Sequence, residues 1–451
     1  MNQQLEDQFL DKYSEIALGC SKINPDFYTQ YNVKRGLRNA DGTGVLVGLT
    51  EIGDVHGYII DEGEKVPVHG RLRYRGYDVA DMVKGFQKEG RFGYEETIFL
   101  LLFGKLPLKE ELNEFNEILG SKRFLPKSFP EDMILNTPSS NIMNKLSRSV
   151  LAFYSFDDNP EDNSIRNVLR QTIDLTAKFP SITAYCYQAK RHYFDKDSLF
   201  IHSPQPELST AENLLLMIRQ DSSYTKLEAE LLDLNLVLHA EHGGGNNSTF
   251  AVHVVSSSST DTYSAISAAI GSLKGSRHGG ANAKVVNMMQ NIKENIKDWK
   301  DRDEVAAYLK KILNKEANDR TGLIYGMGHA VYTLSDPRAV LLKDKAAELA
   351  KVKHRQEEYE LYLLVENLVP EIFFGAKNTD KQISANVDFF SGFVYDMLNI
   401  PKDLFTPIFA MSRIPAWGAH RIEEIVSGGR IMRPAFKNVS PRRDYIPLED
   451  R

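Results

Sequence analysis

His278-Gly279-Gly280-Ala281-Asn282-Ala283, followed by Val285, Val286, Met288 and Met289, decides how the rest of the chain is read. A glycine turn that carries a histidine gives way to apolar residues at the 3.6-residue period, which predicts a loop delivering the imidazole to the start of a buried helix. Both upstream and downstream the same period dominates. Glu95 to Phe103, Ile142 to Phe153, Ile165 to Lys178, Ala211 to Ile218 and Asp301 to Leu313 all place apolar residues at helical spacing. Pro180 is expected to break one helix, and Pro401 and Pro415 to bracket a segment from Leu404 to Ser412. Only residues 44–77, rich in Gly and β-branched side chains, read as short antiparallel strands and turns. No βαβ alternation is present, so the expected class is all-α, mainly helical, with a few short N-terminal β-strands.

With 451 residues, 42% hydrophobic and 26% charged, the chain is an ordinary globular sequence. That length exceeds what one core supports, so two lobes with a cleft are expected. A formal charge of -6 excludes a global basic field for nucleic acid or anionic lipid, leaving anion sites to local clusters. The two cysteines, Cys20 and Cys186, lie too far apart for a zinc motif, and a reducing cytoplasm is expected. Glu6, Asp7, Asp11 and Glu15 outweigh Lys12, the wrong balance for a targeting peptide, and no apolar run reaches membrane-spanning length.

Three histidines sit in Gly-rich or Asn-rich turns: His242, His278 and His329. Each is equally readable as a satisfied turn histidine. His278, near a helix start, is expected to have its pKa depressed by the helix dipole, so that a neutral ring can donate to a developing enolate. A metal reading of His239, Glu241 and His242 lacks the His-Glu-x-x-His spacing, and Gly243 to Gly245 lack the Lys-Ser/Thr ending of a phosphate loop. In Ser335-Asp336-Pro337-Arg338, Ser335 or Asp336 is a helix cap with proline at the first position; Arg338 is either solvated or a fork for a carboxylate. Asp388, flanked by Phe389 and Phe390, is either a helix-capping residue or a general base with a raised pKa. Arg413 and Arg433 are solvated by default.

Taken together and in order, Gly-Ser-Arg-His278-Gly-Gly-Ala-Asn, Gly-Met-Gly-His329-Ala-Val-Tyr with Asp336-Pro-Arg338-Ala, and Asn-Val-Asp388-Phe-Phe-Ser-Gly closely resemble the citrate synthase family. Supporting likeness comes from Leu72-Arg73-Tyr74-Arg75-Gly76-Tyr77-Asp78, His239-Ala-Glu-His242 and Trp417-Gly-Ala-His420-Arg-Ile-Glu-Glu424, so that the match spans nearly the whole chain. The glycine-rich run Gly243 to Gly245 and Pro415 depart from the pattern.

The resemblance implies a homodimer of two-domain helical subunits: a large domain of residues 1–285 plus 394–451, and a small domain of residues 286–393 inserted in it. It implies condensation of acetyl-CoA with oxaloacetate and hydrolysis to citrate and CoA, the first condensation of the tricarboxylic acid cycle, in the cytoplasm. By the same likeness His278, His329 and Asp388 are catalytic, while His242, Arg338, Arg413 and Arg433 hold oxaloacetate or citrate, with Arg433 reaching a neighbouring subunit. Tyr325, Gly326, Met327 and Gly328 are expected near CoA. No metal or prosthetic group is expected, CoA being part of a substrate. A 2-methylcitrate synthase using propionyl-CoA is the alternative within the family. A non-catalytic CoA- or carboxylate-binding regulator and a metal-dependent hydrolase are the alternatives outside it.

Overall fold

The computed structural model describes residues 3–39, 41–377 and 383–451. Its described residues form seventeen α-helices and one three-stranded sheet, as the helical periodicity predicts. Strand β1 (Gly53–Asp61) pairs antiparallel with β2 (Glu64–Tyr74), from Gly53 opposite Tyr74 to Asp61 opposite Glu64, with an irregularity between His56 and Tyr58. Glu62 and Gly63, both at positive φ (48° and 86°), make the tight turn that the right-handed twist of a hairpin favours. Strand β3 (Tyr77–Asp78) returns against β2. The sheet therefore begins later than residue 44, and its hairpin has a definite neighbour. A Cβ on Gly57 would stand 2.7 Å from the Val331 carbonyl oxygen, and one on Gly70 2.3 Å from that of Ser335, so glycine lets the hairpin lie against the segment after His329.

By contact density the chain divides into two units, Thr50–Met432 and the pair of terminal segments Met1–Leu49 and Arg433–Arg451. In the terminal unit Lys437 lies over the ring of Tyr31, 5.4 Å from its centre, while Phe436, Tyr445 and Leu448 are exposed. Among its described residues no helix of the chain is long and apolar enough to cross a membrane.

Two helices form the spine of the larger unit, Ile165–Tyr193 and Phe405–Val426. They cross so closely at Gly418 that a Cβ there would lie 2.1 Å from Cγ2 of Thr172. Both contain a proline expected to end them: Pro180 and Pro415 lie inside continuous helix. An interior proline removes the N–H that its i−4 carbonyl needs. For Pro415 that acceptor is Met411, and the buried Tyr94 hydroxyl donates to it at 3.1 Å and to the Ser412 carbonyl at 3.1 Å. Pro180 is likewise buried in the helix packing. Tertiary contacts thus override the local break.

Candidate functional site

Two short segments meet through backbone bonds. Gly328 N–H donates to the Ser384 carbonyl (2.8 Å), Asn386 N–H to the Gly326 carbonyl (2.9 Å), and Asn386 Nδ2 to the Gly328 carbonyl (2.9 Å). Gly326 has φ 78°, and a Cβ there would press on Val285 and Phe389 at 2.8–2.9 Å, so both geometry and space demand glycine. The result fixes the backbone before His329 against the backbone before Asp388. Asn386 is also the cap of helix Val387–Met397, its Oδ1 accepting from Asp388 N–H. The capping role considered for Asp388 thus belongs to Asn386, and the aspartate carboxyl is left for other work. Burial pushes that carboxyl up to about 6, with Arg338 pulling down and Asp336 pushing up.

His329 is held by its own loop. Its Nδ1 accepts from the N–H groups of Val331 (3.0 Å) and Tyr332 (3.1 Å), which in a neutral ring puts the proton on Nε2. Tyr332 stacks on the imidazole with ring centres 4.8 Å apart. The ring of His242 stands nearly perpendicular to it at 5.1 Å. His242 is held neutral by burial first, then by Arg338 and His329, and its buried Nε2 has no hydrogen-bond partner among the described residues.

Arg338, weighed as solvated or as a carboxylate fork, and Arg413, expected to be solvated by default, are both buried. Arg338 is buried, and Asp336 both caps helix Pro337–Val352 and grips the guanidinium through Nε (3.0 Å) and Nη2 (2.7 Å). Ser335, the other cap candidate, faces His69 instead. Asp336 Oδ2 also accepts from Val387 N–H, tying the Arg338 turn to the Asp388 helix. Arg413 is fully buried, its Nε donating to the His239 carbonyl at 2.8 Å. Its Nη1 and Nη2 have no partner among the described residues, a costly state unless a ligand fills it. Burial lowers its pKa to about 10, opposed first by Glu241.

His278 precedes Gly280, the N-cap of helix Ala281–Asn295, and its Nε2 lies 3.2 Å from Ser248 Oγ. Its pKa is depressed to about 4, in the expected direction, by burial first and then by Arg413. The electrostatic reach of Arg413 to His242, His278 and Asp388, and of Arg338 to His242 and Asp388, marks these five groups, with His329 beside His242, as one cluster. Arg433 is exposed and belongs to the terminal unit.

Below His329 a cavity of about 410 Å³ is lined by Leu323, Met327, Gly328, His329, Phe373 and Ile383. Of the four residues expected near CoA, Met327 and Gly328 line it, while Tyr325 sends its hydroxyl to Asp319 and its ring under Lys284. The carboxylate of Glu241 faces His420 and accepts from Gly243 N–H, which turns it away from the metal reading with His239 and His242 and takes one N–H from the glycine run. His253, which completes a buried line with His420 and Glu241, carried no signal in the sequence because its partner is 167 residues away.

A family model described as citrate synthase, C-terminal domain, matches residues 39–435. The chain belongs to the citrate synthase family. It is an acyltransferase of that type. A citrate synthase of Haloferax volcanii is 33% identical over 431 residues, covering 93% of this chain and 99% of the relative. A 2-methylcitrate synthase of Shewanella oneidensis is 31% identical, covering 84% and 92%. Among solved structures, the ternary complex of Thermoplasma acidophilum citrate synthase with carboxymethyl coenzyme A and oxaloacetate superposes with a TM-score of 0.74 at 26% identity, covering 93% and 99%.

Proposed function

We infer that this chain condenses acetyl-CoA with oxaloacetate and water to give citrate and CoA, the first condensation of the tricarboxylic acid cycle, in the cytoplasm. The observation that carries the reading is the pairing of a carboxyl poised near pH 6, Asp388, with a neutral histidine, His278, and an unpartnered buried guanidinium, Arg413. Asp388 takes the α-proton of the acyl thioester while His278 donates to the thioester oxygen, spreading the charge of the enolate. A neutral His278 suits that step because a pKa near 4 leaves it uncharged at neutral pH. His329, with its proton on Nε2, polarises the ketone and protonates the new alkoxide. Arg338, Arg413 and His242 hold the carboxylates; Arg433 joins them from a neighbouring subunit of a homodimer.

Thioester hydrolysis completes the cycle without a metal or prosthetic group, since the thioester acidifies its own α-carbon and the arginines supply positive charge. Residues 286–393 act as a small domain set in the large one, 1–285 plus 394–451, and closing the cleft excludes water. CoA lies along Tyr325 to Gly328. Turnover with acetyl-CoA against propionyl-CoA tests the substrate. An acetyl-CoA enzyme discriminates by about 10-fold or more, since a methylene is worth roughly 1–3 kcal/mol; a reversed preference makes it a 2-methylcitrate synthase, and no condensation with either ends the reading.

A further inference from the structure

Beside the reacting groups runs a line of buried ionisable side chains joining helix Phe405–Val426 to the loop of His242. Glu424 Oε2 lies 2.8 Å from His253 Nδ1, His253 Nε2 lies 3.1 Å from His420 Nδ1, and His420 Nε2 lies 3.2 Å from Glu241 Oε1. Two proton arrangements serve these contacts. In both, His253 donates through Nδ1 to Glu424 and His420 turns a protonated Nε2 toward Glu241; the proton between the rings sits either on His420 Nδ1, which makes His420 the cation, or on His253 Nε2, which makes His253 the cation. The surrounding charges select the first. Burial opposes a cation at His420, yet Glu241 and then Glu423 lift it to about 9, whereas burial and His420 hold His253 below its ordinary value.

The groups around His420 are few. Glu423 stands 3.7 Å from Nδ1 on the same helix, with its Oε1 accepting from Glu51 N–H; Glu241 approaches from the loop and His253 from helix Asn247–Ser256. Arg75 is the further cation felt by Glu423 and Glu241. The loop itself rests on the histidine pair: a Cβ at Gly244 would touch His253 Nε2 at 3.6 Å and His420 Cε1 at 3.7 Å.

Glu241 has two suitors. Its carboxylate is wedged under Gly53, where a Cβ would stand 2.6 Å from Oε1, and its charge is the strongest attraction felt by Arg413. Burial, the largest single influence, pushes Glu241 toward the neutral acid, but His420 first, then Arg413 and the Gly243 N–H, together outweigh it and keep the carboxylate ionised. A buried carboxylate that lost its histidine partner would find its compensation in the unpartnered Nη groups of Arg413.

We propose that His420 is a positioning residue for substrate binding: by pairing with Glu241 it keeps that carboxylate off Arg413 and so leaves the guanidinium free for a substrate carboxylate. The proposal rests on the condensation reading, in which Arg413 binds oxaloacetate. Wild-type turnover tests that reading, and the oxaloacetate Kd of variants, measured without acyl-CoA, tests this one.

His420→Gln removes the cation. It should weaken oxaloacetate binding about tenfold, raise KM to match and leave kcat within about twofold. Adding Glu241→Gln removes the carboxylate that captures Arg413, so the double variant should bind within about twofold of wild type. His420→Lys keeps a cation and should bind better than His420→Gln, which holds the test open if the glutamine variant folds poorly by its thermal melt. A double variant as weak as or weaker than His420→Gln would overturn the proposal, because a merely structural role gives no rescue. The ligand atoms of His253, His420 and Glu423 also lie within 4.8 Å of one another, close enough for a divalent cation. A stoichiometric metal in the purified protein, with oxaloacetate affinity lost on chelation, would overturn it in favour of that occupant.

Discussion

The hydroxyl of Tyr94 takes the place of the N–H that Pro415 lacks, donating to the Met411 carbonyl inside helix Phe405–Val426. That helix carries Arg413, so the bond supports the backbone on which a buried, unpartnered guanidinium is mounted. Tyr94→Phe keeps the ring and leaves two buried carbonyls, Met411 and Ser412, without this donor. A buried acceptor stripped of its partner costs about 1–3 kcal/mol. The melting temperature should fall, and the loss should shrink in a Pro415→Ala background, where alanine restores a backbone donor to Met411. An equal loss in both backgrounds would show that the hydroxyl does not substitute for the missing amide.

In its proposed role as base Asp388 works only when ionised, and its raised pKa of about 6 sets where that happens. The sign is fixed: below pH 6 the native carboxyl is protonated and the base form falls tenfold per pH unit, while above pH 6 it is complete. His278, near 4, is already neutral across this range and adds nothing to the limb. The kcat/KM profile should therefore bend near pH 6. Asp388→Asn should lose about 10²- to 10⁴-fold in kcat and lose the bend with it. A variant that keeps near-normal turnover, or a wild-type profile flat down to pH 5, would remove Asp388 from the role of base.

What the sequence made legible follows the range of the interactions involved. Helix Ile142–Phe153 lies where its apolar period put it, because one amphipathic face against a core is a local pattern. The Asp336 cap with Pro337 behind it is also local, and it formed as read. Pro415 misled because the group that compensates it comes from elsewhere in the chain, Tyr94 being 321 positions before it, and Pro180 because it is buried in packing that no local pattern announces. The burial of Arg413 was equally hidden: nothing adjacent marks it, and only packing of distant helices removes it from water. His253 and His420 became partners for the same reason. Motif likeness picked out His242, His278, His329, Arg338, Arg413 and Asp388, which the structure brings into one cluster, whereas the side chains that hold them in place are contributed by long-range packing.

Arg433 offers the strictest test of the assembly. It follows the Gly428-Gly429 turn, is exposed, and belongs to a unit formed by the two ends of the chain. An exposed arginine by itself contributes little, so a role for it requires a partner's carboxylate-binding site within reach. Arg433→Lys should already impair oxaloacetate use, because a lysine cannot reproduce a bidentate fork on a carboxylate. The decisive measurement mixes two inactive chains, Arg433→Ala and Asp388→Asn, under conditions that exchange subunits. If Arg433 serves the neighbouring subunit, a mixed dimer places both defects in one site and leaves the other intact. Activity should then exceed that of either parent, approaching about a quarter of wild type for equal random mixing, since half the dimers are mixed and each holds one sound site of two. If Arg433 serves its own chain, each site of the mixed dimer carries one defect, and mixing should restore nothing.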